Sequence, residues 1–335
     1  MSIIEGYRER RRRSCLVTGI LACLALGLAA VMMIYGNTIY SPGEILAVLT
    51  GRETGGAVFT IKTLRLPRML AAILCGFAFG AAGNTFQKLL RNPLASPDII
   101  GVTSGASAAA VFGILVLHLP GNLVSMLAVV SGLAVSLLIY FLSQGEGFSN
   151  GRLILTGIGM QAFLRAMISW ILLKASEYDV SSALRWLSGS LNNVSIDQIP
   201  RLAVVVLLSM AAIAALNRSL ETMQLGDDYA SVLGVKLNLV RLALILFALL
   251  LIAFATSVSG PIASVAFLAG PISSRLSGNG NSNVLASGFT GCVLVLASDL
   301  IGQYALPVRY PVGVITGILG APYLIWLLIR LNRES

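Results

Sequence analysis

The strongest constraint on this chain is the apolar run LVTGILACLALGLAAVMMIY at residues 16–35, the first of about ten of its kind. About 20 such residues, rising 1.5 Å each as a helix, reach across the roughly 30 Å hydrocarbon core of a bilayer. Inside that core no water completes a backbone N–H or C=O, so each run has to satisfy its own backbone as a helix. Polar or Gly/Pro-rich breaks place the spans near 15–35, 68–87, 99–117, 123–142, 153–173, 201–216, 239–257, 261–276, 284–305 and 312–330. Pro261, Gly270 and Pro271 interrupt the eighth. Composition agrees: 56% of the 335 residues are hydrophobic and 11% charged, against about 25% charged in soluble domains. The expected fold is an all-α integral membrane protein of about ten transmembrane helices, one domain over 15–335 behind a basic tail at 1–14. The first run reads as a retained helix rather than a cleaved signal, since it is long enough to span and no A-x-A-like site in a polar flank follows.

Charge sets the orientation. The net charge is +9, and much of it sits in RERRRR at 8–13, directly before the first span. There it acts as a cytoplasmic anchor under the positive-inside rule, not as a nucleic-acid patch. With the N-terminus inside and the connections sorted alternately, 14 of the 23 Lys and Arg residues fall inside and 8 outside, with Arg165 within a span. An even number of spans returns the chain to the same side, so both termini are expected on the cytoplasmic side.

Several chemistries are excluded. Cys15, Cys23, Cys75 and Cys292 are scattered singly through apolar spans, without C-x-x-C spacing. With His118 as the sole histidine, a His-based metal site has no partners to draw on, and neither metal nor cofactor is expected. No G-x-x-x-x-G-K-[ST] loop occurs, so the chain is not expected to be an enzyme, and any ATP it uses is hydrolysed by another chain.

Four local patterns point toward function. In LRLPRMLAAILC, Arg65 and Arg68 lie three apart on one helical face, on the outer side and against the charge bias; such a pair can hold carboxylates bidentately. Small residues at four-residue spacing (Gly76 with Gly80, Gly101 with Gly105, Gly313 with Gly317) let helix backbones approach closely in lipid. Two Pro/Gly-broken segments, RNPLASPDIIGVTSGAS and SGPIASVAFLAGPISSR, share a P-[LI]-A-S tetrapeptide five spans apart, the arrangement of an inverted repeat in transporters. Finally, NRSLETMQLGDDYASVLGVKLN lies on the cytoplasmic side. There Gly226 breaks the chain, Asp227 or Asp228 can cap a short helix, and Gly234 can end it, presenting Ala230, Ser231 and Leu233 as a peg for a partner's groove. Intramembrane charge is sparse: Asp299 in VLASDLIG, and Arg165. An ion-coupled carrier usually lines a relay with several such groups, so secondary transport through Asp299 is the lesser reading.

RLPRMLAAILCGFAFGAAGNTFQKLLRNPLASPDIIGVTSGAS, LGDDYASVLGV and YPVGVITGILGAPYLIWLL together resemble the FecCD-type permeases. These are the membrane subunits of binding-protein-dependent ABC importers for ferric siderophores, haem and vitamin B12. The likeness runs from about residue 40 to 330 in order. NGRLILTGIGMQAF and ISWILLKAS look like the ferric-siderophore branch, in particular the second permease of ferric enterobactin-type importers. The resemblance implies a ten-helix permease whose dimer encloses the path, two ATP-binding subunits below and an extracytoplasmic substrate-binding protein above. It implies binding-protein docking at Arg65 and Arg68, and ATPase coupling through Gly226, Asp227, Asp228, Ala230, Leu233 and Gly234. It further implies a cytoplasmic gate at Ser149 and Asn150 in GFSNGR, with an iron(III)–siderophore as cargo and haem or cobalamin as the alternative. This chain departs from the family's pattern. It has Gln303 where many members carry an arginine, Arg309 where an acid is frequent, and Gly270–Pro271 where many read Pro-His. The departures imply an asymmetric docking surface with Arg309 supplying charge, and a heterodimer with a related permease.

Overall fold

A computed structural model describes residues 3–52, 55–143, 150–278 and 282–334. Every predicted span is helical. α1 (Ile3–Ile34) is followed by the short α2 (Pro42–Leu49), then α3 (Leu66–Leu89), α4 (Val102–Leu115), α5 (Gly121–Ser143) and α6 (Asn150–Lys174). α7 (Glu177–Leu187) leads to α8 (Ile199–Ala215), the short α9 (Asn217–Met223) and α10 (Asp227–Val232). α11 (Leu237–Ser259), α12 (Val265–Ser277), α13 (Val284–Tyr304) and α14 (Val312–Glu334) complete the bundle.

Among the described residues, seven helical segments are long and apolar enough to cross a bilayer: Arg8–Ile34, Gly56–Leu89, Gly121–Ser143, Gly151–Lys174, Ile196–Ala215, Leu237–Ser259 and Val284–Tyr304. The other three predicted spans hold shorter helices. α4 has 14 residues and α12 has 13, about 20 Å of helix each and too short to cross alone. The apolar part of α14 is Val312–Leu327. Both P-[LI]-A-S segments lead into these short helices, and each is turned by a left-handed residue, Gly101 (φ 75°) before α4 and Ser264 (φ 68°) before α12. The irregular chain ahead of each helix takes up part of the length that the sequence reading gave to a continuous span.

The second span also begins earlier than expected. Helix starts at Gly56 and widens to a π-helical stretch at Phe59–Arg65 before α3. Pro67 has no N–H to return to the carbonyl four residues back, and the wider turns upstream absorb that defect.

α3 is the axis of the molecule, packed against α13, α12 and α11. It crosses α13 on glycine: a Cβ on Gly76 would stand 2.6 Å from the Gly291 carbonyl oxygen, and one on Gly80 would overlap that of Ser287. Gly83 bears on Ala266 of α12 in the same way. In hydrocarbon, where apolar contact gains little over lipid, such backbone approach is what holds helices together. Gly317, by contrast, has its nearest prospective neighbour at 3.9 Å and is not a contact glycine.

α3 also mends the broken helix beside it. Pro271 inside α12 leaves the carbonyl of Phe267 without its helical donor. Gln87 Nε2 of α3 donates to that oxygen at 2.9 Å. Asn84 Nδ2, one turn earlier, donates to Ser282 O ahead of α13. Two buried amides on one helix thus complete the backbone of its neighbours, as a site closed to water demands.

Candidate functional site

The N-terminal end of α3 carries the arginines that the sequence singled out, and its other end meets the predicted peg. At its N-terminal end, Arg68 forms a bidentate pair with Asp299 of α13, Nε to Oδ2 at 2.8 Å and Nη2 to Oδ1 at 2.7 Å. The side chains are 17% and 3% exposed. A fork-to-fork pair in a site shielded from water is strong and geometrically exacting. Asp299 is therefore a structural carboxylate locked to a permanent cation, as expected of a lone intramembrane acid.

Arg65 has turned inward too. It is only 8% exposed, with Nη1 donating to the carbonyls of Met33 (2.6 Å) and Ile34 (3.0 Å) and Nη2 to that of Thr38. Its Cζ sits 5.0 Å from the Tyr40 ring centroid. Met33 and Ile34 close α1, where the last carbonyls have no intrahelical donor; Arg65 supplies one and meets the negative end of the helix dipole. The sequence placed both arginines together at one helix mouth; the structure gives each an internal partner. Both are committed internally, because the polar groups they satisfy lie on segments remote in sequence.

Arg309 is exposed at the same end, its Nη2 donating to Asn37 Oδ1 at 2.8 Å. It helps line a cleft of about 740 Å³ with Arg185, Ser190, Asn192, Asn193 and Ser259. Sequence reasoning passed over Arg185. Gln303, in the position that departs from the family's pattern, is buried at 7% exposure. Nearby α2 opens with a reciprocal cap in which the backbone N–H and hydroxyl of Ser41 hold the Glu44 carboxyl below its ordinary pKa.

At the opposite end, α10 is bracketed by glycines as expected. Gly226 (φ 128°) occupies the cap position, and Gly234 (φ 85°) ends the helix, with Gly234 N–H bonded to Ser231 O at 2.9 Å and Val235 N–H to Ala230 O at 3.0 Å. That is a Schellman closure. Two details differ from the sequence reading. No side chain caps the helix; instead the Asp227 carboxylate pairs with Arg91, just beyond α3, and with Arg241 of α11 at 2.7 Å. And Ala230 is fully buried rather than presented. Leu225, Tyr229, Val232 and Leu233 are exposed, Val232 to 88%. Helical periodicity explains both: Asp227 and Ala230, three apart, share the inward face, leaving the bulky apolar residues outside. Asp228 heads the first turn.

Of the candidate gate, Ser149 lies outside the described residues, and Asn150 begins the α6 backbone. Gly157 on α6 presses on the Ile99 carbonyl of the first broken segment, and the Gln161 amide donates to Asp98 O there. The other face of α6 is open and carries Arg165 among exposed Leu155, Ile158 and Phe163. Among the described residues no group of three or more His, Cys, Asp or Glu gathers as metal ligands would.

A family model described as the FecCD transport family matches residues 20–330. The ferric enterobactin transport system permease protein FepG of Escherichia coli (strain K12) is 36% identical over 330 residues, covering 98% of this chain and 99% of that one. The Fe(3+)-citrate import system permease protein YfmE of Bacillus subtilis (strain 168) is 32% identical over 323 residues, 96% of each chain. The vitamin B12 import system permease protein BtuC of Vibrio vulnificus (strain CMCP6) is 30% identical over 330 residues, 97% of this chain and 96% of the relative. Among solved structures, an inward-facing metal-chelate type ABC transporter superposes with a TM-score of 0.82 at 24% identity, covering 94% of this chain and 99% of the other.

Proposed function

This chain belongs to the FecCD transport family, and on that premise we propose that it is the membrane-spanning subunit of an ABC importer that carries an iron(III)–siderophore across the cytoplasmic membrane. It performs no covalent chemistry. Two ATP-binding subunits supply the energy, and an extracytoplasmic binding protein delivers the cargo. The observation that carries the ATP-driven reading is α10. Leu225, Tyr229, Val232 and Leu233 project from a short helix held by glycine at both ends and by Asp227 between two arginines. Such an apolar knob, rigid relative to α3 and α11, is suited to take a push from a partner's groove and pass it to the core.

In this reading all ten helices reach through the membrane as two inverted halves, with both termini and α10 cytoplasmic. Arg165 supports an assembly of two permeases. A charge exposed in mid-span costs several kcal/mol against lipid and faces protein or a water-filled path instead. The open face of α6 then lines the path between this chain and a second, related permease, with Ser149 and Asn150 at its cytoplasmic mouth. Docking falls to Arg309 with Arg185, and to the edge of Arg68 left exposed. For the cargo, relatives named for ferric enterobactin and Fe(3+)-citrate stand at 36% and 32% identity, above the vitamin B12 permease at 30%, which supports an iron chelate over cobalamin.

Reconstituting the chain with its ATPase, second permease and binding protein in liposomes tests this. Uptake of a ferric siderophore is expected with ATP on the α10 side and every ion gradient collapsed. Uptake that follows a proton or sodium gradient and ignores ATP overturns the proposal.

A further inference from the structure

Beside the anchored α10 lies a cavity of about 500 Å³, between the end of α3, the chain after it, the last turn of α12 and α14. Lys88, Arg91, Arg275 and Arg330 line it, and among the described residues no acidic side chain does. Among the described residues, the nearest acids lie outside the lining. Asp227 pairs with Arg91 and Arg241 from outside the lining. Glu221 acts electrostatically on Lys88, but its Oε1 already accepts from Asn217 Nδ2 and Ser282 N–H, both at 3.1 Å. Arg275 has no ion pair among the described residues. Its Cζ lies 4.1 Å from the Trp326 ring centroid, and Arg330 approaches the same ring at 5.8 Å. The Nη1 of Arg275 is buried with no hydrogen-bond acceptor among the described residues.

Buried donors without an acceptor are rare because each forfeits its hydration. A buried guanidinium donor beside a cavity lined by four cations calls for an oxyanion. We propose that this cavity binds a phosphate-bearing anion, held by Arg275 and Lys88 with Arg91 and Arg330 at the rim. Half-exposed Trp326, stacked on two arginines, has the character of a membrane-interface aromatic. An acidic phospholipid headgroup and a soluble phosphate share this chemistry. The lipid source alone rests on the cytoplasmic placement of this end argued above. Binding measured in detergent reads the cavity whatever the orientation, so the two readings fail separately.

The test titrates the purified full chain in neutral detergent with phosphatidylglycerol, phosphatidylcholine and inorganic pyrophosphate, counting bound molecules by native mass spectrometry. One phosphatidylglycerol is expected to be retained in preference to phosphatidylcholine. The double variant Lys88→Gln/Arg275→Gln is expected to bind it about thirtyfold more weakly, from roughly fivefold per cation. Arg201→Gln, an exposed cation at the start of α8, leaves it unchanged. If the double variant fails to fold, Lys88→Gln alone reads the fivefold loss. Pyrophosphate binding with the same dependence, and no lipid retention, assigns the site to a soluble phosphate. Equal retention of the two lipids without pyrophosphate binding, or phosphatidylglycerol binding untouched by the variants, overturns the proposal.

Discussion

One helix, α3, is pinned at both ends by an arginine–aspartate pair, and the two pairs are unlike. Arg68–Asp299 sits between α3 and α13 with the carboxylate 3% exposed, whereas Arg91–Asp227 joins side chains that are 42% and 43% exposed. The first lies over a glycine crossing that leaves no slack; the second ties down a six-residue surface helix whose outer face is bare. Burial makes the first pair expensive to break, because the surviving charge has no water to turn to. The second loses little when it opens, since solvent replaces the partner and Asp227 keeps its pair with Arg241, whose side chain is 6% exposed. The molecule thus has a closed, rigid end and an end whose outermost contact can yield.

The severest challenge to this contrast is Asp299→Ala. It strands the Arg68 guanidinium and is expected to cost about 3 kcal/mol in denaturant unfolding of the detergent-solubilised protein, with most of the loss regained in Arg68→Met/Asp299→Leu. An Asp299→Ala protein as stable as the parent would place the closed end in water. Next, Gly291→Val forces apart backbones that touch at Gly76 and is expected to cost about 2 kcal/mol. Gly317→Ala, with nothing nearer than 3.9 Å, is expected to stay within about 0.5 kcal/mol. Equal effects from the two would remove the glycine seam from the account. At the open end, Arg91→Gln is expected to speed amide exchange in α10 about fivefold while leaving global unfolding nearly unchanged, since an exposed pair contributes on the order of 1 kcal/mol or less. Global destabilisation matching that of Asp299→Ala would erase the difference between the ends. Smallest of all, raising salt from 0.05 to 0.5 M is expected to loosen α10 by less than about 0.5 kcal/mol and to leave the Arg68–Asp299 end untouched. Salt sensitivity at the closed end would contradict its burial.

How much of this was legible beforehand depends on how far apart the interacting residues lie. The helices were readable because hydrocarbon imposes one solution on any long apolar run, and Gly226 and Gly234 marked α10 because backbone at those angles favours glycine. The seam at Gly76 and Gly80 was foreshadowed by its spacing, although the same spacing at Gly313 and Gly317 yields one contact glycine rather than two. The arginines show where the reading stopped. Arg68 and Asp299 are 231 positions apart, and Arg65 finds its carbonyls 31 and 32 positions away, so nothing local announced either partner. A signal was present all the same. A lone acid and a cation sharing the same depth in neighbouring spans are costly apart, and pairing them is the cheaper arrangement. Arg91 and Arg241 around Asp227 carried a fainter version of it.

The amino-acid sequence by itself determined that this chain fills a bilayer with helices, roughly where along the chain they lie, and which family it resembles. These follow from short-range chemistry: hydropathy, proline's missing N–H and glycine's missing Cβ. The tertiary structure alone decided which charges are spent inside and which remain for partners. It turned Arg65 into a helix cap and Asp299 into a lock, buried Ala230, and left Val232 and Arg309 exposed. The reason is physical: an ionised group settles wherever three-dimensional packing brings it an opposite charge or a row of carbonyls, and that choice is made across the fold rather than along the chain.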